Sequence, residues 1–159
     1  MKFVIQRVKE ARVAVDERVT GRIGKGALVF IGIEKDDTIK EIGYFVRKIA
    51  ELRMFEDDSG KMNLAAAEVG AAFLVVSQFT LLGDCHKGRR PSFDRAADPK
   101  TAGALYQRFV EQLRAMNFEV ATGEFRAMMD VTLVNDGPVT FILEGRAPAA
   151  SKDNSSGGQ

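Results

Sequence analysis

The sequence predicts a single-domain α+β protein in which mostly antiparallel, partly barrel-like β-sheets are covered by two main helices. Three observations carry this. Segment 1–35 is rich in β-branched residues and punctuated by turn signals. Segments 36–53 and 98–116 repeat apolar residues at helical spacing. A chain of 159 residues with 45% hydrophobic content is also large enough to bury one real core.

Phe3, Ile5 and Val8 predict one strand, and Ala11 to Val15, with period-two alternation, predict a second. Ala27 to Ile33 is apolar enough for a strand buried on both faces. Arg7 falls inside this sheet, either as a strand-edge charge in water or as an arginine recruited to a site. Thr38 followed by Glu41 forms a capping box, and Ile39, Ile42, Val46, Ile49 and Leu52 mark one face of a helix. Asp57-Asp58-Ser59-Gly60 reads as a hairpin tip and lacks the ligand pattern and closing glutamate of a calcium loop. Phe73 to Val76 is a short buried strand. Asp98 as N-cap, Pro99 at the first helical position, and Ala102, Leu105, Phe109, Leu113 and Met116 on one face define the second helix. Phe118 to Ala121, Met128 to Val134 and Val139 to Leu143 predict three more strands, the last two joined by a hairpin at Asn135-Asp136-Gly137-Pro138. The domain is expected to span 1–146. From 147 to 159 too little apolar surface is available to offset the entropy of ordering, which predicts a flexible tail.

Composition excludes several classes. One cysteine, Cys85, rules out an intramolecular disulfide, and with the single histidine, His86, beside it no zinc set can be assembled. A net charge of +1 gives no global attraction to nucleic acid, so a polyanion must be held by a local patch. Met1 leads straight into an alternating strand and no long apolar run occurs, so neither a signal peptide nor a membrane span is expected and the cytoplasm is the default.

The chemistry concentrates in Phe73 to Phe93. A buried run delivers Ser77, Gln78, Phe79 and Thr80, then breaks at Gly83 and ends in the cationic turn Lys87-Gly88-Arg89-Arg90-Pro91, the layout of a pocket with an anion-binding lip. Residues 77 and 80 point to opposite faces of a regular strand, so for both to line one pocket the strand must end or bulge near Gln78. Neither hydroxyl has a placed base, since His86 lies in a loop without an orienting partner. The two hydroxyls either satisfy buried backbone groups or, beside unpaired N–H groups, stabilise an oxyanion. Asn135 to Pro138 is equally ambiguous: a hairpin connection, or a Gly-Pro pair presenting main-chain oxygens to a ligand.

Taken together, Ser77-Gln78-Phe79-Thr80-Leu81, Lys87-Gly88-Arg89-Arg90-Pro91-Ser92-Phe93, Leu105-Tyr106-Gln107-Arg108-Phe109 and Asn135-Asp136-Gly137-Pro138-Val139-Thr140 resemble the D-aminoacyl-tRNA deacylases of bacterial type. The likeness runs in order from Met1 to about Glu144. It implies a homodimeric hydrolase of the ester between a D-amino acid, or glycine, and the terminal adenosine of tRNA, with no cofactor and neither DNA nor membrane as partner. Ser77, Gln78, Phe79 and Thr80 would form the catalytic strand end. A cis Gly137-Pro138 pair would reach the partner's pocket and exclude L side chains by sterics. Arg7 would hold that pair, and Met129 joins the substrate-binding set, although Met128-Met129 doubles a methionine where one would suffice. Lys87, Arg89 and Arg90 are candidates for tRNA phosphates, because arginine forks match phosphate oxygens. A non-catalytic module that binds a nucleotide or amino acid would present the same pocket.

Overall fold

The computed structural model describes residues 1–149; the predicted tail beyond Ala149 lies outside the described residues, and 147–149 are irregular. The elements are β1 (Lys2–Val15), β2 (Arg18–Ile23), β3 (Gly26–Gly32), α1 (Ile39–Ala50), β4 (Phe55–Glu56), β5 (Met62–Leu64), β6 (Ala72–Ser77), α2 (Pro99–Ala115), β7 (Val120–Thr122) and β8 (Asp130–Glu144), with 3₁₀ turns at Ala66–Val69 and Phe79–Leu82.

The two strands expected within 3–15 are one. β8 pairs with β1 from Lys2 to Ala14, and a one-residue slip between Val8 and Glu10 absorbs the break in apolar alternation. The hairpin expected at Asn135–Pro138 is likewise absent. From Gln6 to Val8 the strand β1 advances two residues while its partner runs from Thr140 back to Asn135, so 136–139 form a bulge within one continuous strand. β2 was not expected: its turn is built from Asp16 and Glu17, both at positive φ (47° and 64°), without the Asn-Gly or Asp-Gly signature of such hairpins.

β1 pairs antiparallel with β8 along one edge and with β3 and then β2 along the other. β3, β6 and β7 continue the sheet in parallel. Alternation along these strands divides the core. Phe3, Ile5, Val29, Ile31, Phe73 and Val75 face α1 and α2, whereas Val8, Val13, Ile23, Leu28, Leu74 and Val76 fill the interior of a nearly closed barrel. Closure needs backbone contact. At Gly21 a Cβ would meet the Thr122 carbonyl, and at Gly26 the carbonyl of Ala72.

Both helices start as their sequences demand. The Thr38 hydroxyl donates to Glu41 at 2.6 Å and holds its carboxyl below the usual range, and Asp98 accepts from the amides of Lys100 and Thr101, both at 3.0 Å. Ile39, expected on the buried face, is half exposed at the first helical position. The loop entering α1 buries a charge pair: the Met1 ammonium donates to Asp37 Oδ1 at 2.9 Å and to the Gly145 carbonyl at 3.1 Å, with both Met1 and Asp37 side chains at 0% exposure. Removing Asp37 leaves the buried ammonium with the Gly145 carbonyl at 3.1 Å and the more distant Glu34 carboxylate at 3.9 Å. Asp37→Ala is expected to cost about 3 kcal/mol or more in a denaturant titration.

Candidate functional site

The strand that carries the site ends where the sequence required it to. β6 stops at Ser77, Gln78 donates its amide to the Ile31 carbonyl at 2.8 Å, and the chain turns into the 3₁₀ segment Phe79–Leu82. Ser77 and Thr80 therefore border one space although they are three residues apart. The Gln78 side-chain amide donates to the Thr80 hydroxyl. The first turn of any helix leaves N–H groups without intrahelical partners, and here these are the amides of Phe79 and Thr80. Beneath them Tyr106, on α2, donates to the Val75 carbonyl at 2.8 Å; burial pushes its phenol up to about 12, so it remains a donor across the physiological range.

Above the strand end lies a cleft of about 600 Å³. Its walls are Val76 to Thr80, the entry to α2 at Ala96, Ala97, Pro99 and Ala102, and the segment Phe125 to Met129 with Val131. Met129 thus joins Ser77, Gln78, Phe79 and Thr80 in one place. Sequence reading missed the wall at 125–128. Its signal was Gly103 within α2: a Cβ there would stand 3.2 Å from the Phe125 ring, which also packs on Tyr106 at 5.8 Å between centroids. Among the described residues that line the cleft, the one ionisable side chain is Arg126.

Lys87, Arg89 and Arg90 do not line the cleft. They project from an exposed loop closed by paired main-chain bonds between Asp84 and Ser92, at 2.8 and 2.9 Å. The loop's base is tied to the site by Phe93, edge-on to Phe79 at 5.0 Å. His86 is exposed in this loop and is likewise absent from the cleft wall.

Arg7 is not a strand-edge charge in water; it is 4% exposed. Its guanidinium donates to the carbonyls of Asp136 and Met54 at 2.8 and 2.9 Å and to Glu56 Oε1 at 3.1 Å. A buried cation needs such saturation, and here it fixes the peptide that leads into Gly137. The Gly137–Pro138 bond is cis, and both residues are exposed. They do not reach the cleft of their own chain. Val131, in the cleft wall, pairs with Val13, whereas Gly137 lies opposite Arg7, which places them roughly 20 Å apart along β1.

Asn135 closes the bulge, a role that reading Asn135 to Pro138 as a hairpin connection did not give it. Its amide donates to the Arg7 carbonyl at 3.0 Å and to the Val139 carbonyl at 3.2 Å, and its Oδ1 occupies the space a Cβ on residue 137 would need. Aspartate has the same shape and no donors. Asn135→Asp would set a carboxylate against two carbonyl oxygens and is expected to destabilise the fold by about 1–3 kcal/mol, read from a shift in the urea midpoint.

Comparison with known proteins shows the family. Residues 4–144 match the family model described as D-Tyr-tRNA(Tyr) deacylase. A D-aminoacyl-tRNA deacylase of Geobacter sulfurreducens is 56% identical over 95% of this chain and 99% of its own, and one of Thermotoga petrophila is 54% identical over 91% and 97%. Among solved structures, a c-Myc DNA Unwinding Element Binding Protein superposes with a TM-score of 0.86 at 42% identity, covering 92% of this chain and 100% of that one. A probable eukaryotic D-amino acid tRNA deacylase shares the fold, with a TM-score of 0.78 at 18% identity over 89% and 97%. With a family model spanning nearly all the described residues and relatives above half identity along their whole length, the chain belongs to the D-aminoacyl-tRNA deacylases, hydrolases of aminoacyl-tRNA esters.

Proposed function

We propose that the chain, as a homodimer, hydrolyses the ester of D-aminoacyl-tRNA and glycyl-tRNA and spares the L forms. The observation that carries this reading is the separation just described. The exposed Gly137–Pro138 bulge lies midway along β8, whereas the cleft meets that strand near its start at Val131, roughly 20 Å away along β1 and too far for the two to meet within one chain. A two-fold axis crossing β8 between Val131 and Gly137 would bring each bulge to the other chain's cleft. β8 favours such an axis: among the described residues its outer edge pairs with no strand, and it exposes Val134 and Ile142 at 45% and 62%.

In this reading the cleft takes the terminal adenosine and the scissile ester. Water attacks the carbonyl carbon, the oxyanion is met by the Phe79 and Thr80 amides and the Ser77 and Thr80 hydroxyls, and the C–O bond breaks to release the amino acid and the tRNA hydroxyl. The neighbouring ribose hydroxyl helps to activate the water. Main-chain oxygens of Gly137 and Pro138 hold the α-ammonium and leave no space for an L side chain, while glycine passes the same gate. Arg7 positions the bulge through Asp136, Met129 borders the bound amino acid, and Lys87, Arg89 and Arg90 take phosphates of the acceptor end in the cytoplasm.

The test is deacylation of matched D-, L- and glycyl-tRNAs by purified protein. The D and glycyl forms are expected to be cleaved and the L form spared, each tenfold of preference being about 1.4 kcal/mol in the barrier. Equal rates on the two enantiomers would overturn the reading, and binding without turnover would leave a non-catalytic module. Thr80→Ala is expected to slow turnover by about 10² to 10³ with tRNA affinity kept, as for loss of one oxyanion or positioning contact. A trapped acyl-enzyme would instead identify a covalent nucleophile.

A further inference from the structure

The cleft wall contains a charge that the reading above leaves without a task. Arg126 lines the cleft among apolar and neutral polar neighbours, is exposed, and makes no ion pair or side-chain hydrogen bond among the described residues. The acid nearest in sequence, Glu124, is engaged by Arg18 at 3.3 Å. Arg126 also occupies an unusual backbone position. The Ala127 amide donates to the Glu124 carbonyl at 3.2 Å, closing a turn in which residue 126 stands at φ 67°. Glycine is the default at that place in a turn, because a side chain there is strained. The chain keeps a long cationic side chain there, at the rim of this cleft.

A guanidinium at the mouth of a cleft that accepts a terminal nucleoside meets, as its nearest anion, the phosphate that joins this nucleoside to the rest of the strand. Its planar fork of donors matches that group. We infer that Arg126 is a substrate-binding residue that holds the 5′-phosphate of the terminal adenosine, distinct from the exposed loop cations that face phosphates further along the strand. The inference rests on the deacylase reading and adds a contact to it. It also predicts which part of the substrate the contact reads: the phosphate, not the base, the ribose or the amino acid.

Two small esters separate these parts: 2′(3′)-O-(D-tyrosyl)adenosine and the same ester carrying a 5′-phosphate. Arg126→Gly removes the guanidinium, and glycine adopts the left-handed backbone freely, so the variant keeps the turn. Wild-type protein is expected to prefer the phosphorylated ester. Arg126→Gly should lower kcat/KM on that ester and on D-tyrosyl-tRNA by about ten- to a hundredfold, the range of one charge-assisted contact. The plain nucleoside ester should change by no more than about twofold, and the salt dependence of tRNA binding should fall by about 0.7 in log–log slope. Equal losses on both esters, no loss on either, or a change of oligomeric state in sedimentation would overturn the assignment. If the wild-type protein cleaves neither ester nor D-tyrosyl-tRNA, it is the deacylase reading that fails.

Discussion

The pairing of β1 on both of its edges is the constraint on which the rest of the structure depends. One fourteen-residue strand holds β8 along one side and β3 followed by β2 along the other, so every register in the sheet is set relative to it. A side chain that points inward between two saturated edges cannot swing out to water. That is why Arg7 is buried, and why the chain must bring it acceptors from three places: the bulge at Asp136, the carbonyl of Met54 and the carboxylate of Glu56. The bulge in β8 is thereby braced twice, by Arg7 from one side and by Asn135 from within, before any ligand arrives.

Much of this was legible in the sequence because local chemistry and tertiary structure agree. Thr38 with Glu41 and Asp98 with Pro99 start their helices where capping rules place them, and Phe73 to Val76 is buried on both faces as its composition requires. The demand that the strand end near Gln78 came from period two alone, and the turn at Phe79 meets it. The two misread strand breaks share a cause. Bulges cancel one period and start another, so a single strand with a slip reads as two strands and a turn. Asn135 to Pro138 has the composition of a hairpin because bulges and hairpins need the same small and polar residues. The burial of Arg7 is invisible locally, since it is decided by partners at positions 54, 56 and 136.

The site economises on charge. The cleft is bounded by hydroxyls, an amide and apolar groups, while the cations sit at its rim and on the neighbouring loop. With a net charge of +1 the molecule as a whole exerts little attraction on a polyanion, so the reach of its basic loop is limited to roughly a Debye length, about 8 Å at physiological salt. Recognition at such a surface depends on geometry at short range.

The barrel interior is solid. Val8, Val13, Ile23, Leu28, Leu74 and Val76 occupy the volume that wider barrels offer to ligands, and Gly21 and Gly26 draw the walls together until main chains touch. A molecule built in this way has no internal chamber for a ligand; whatever it binds must be met at its surface. The bulk of a ligand therefore never has to pass through the barrel, and a small domain of this build stays open to polymers far larger than itself.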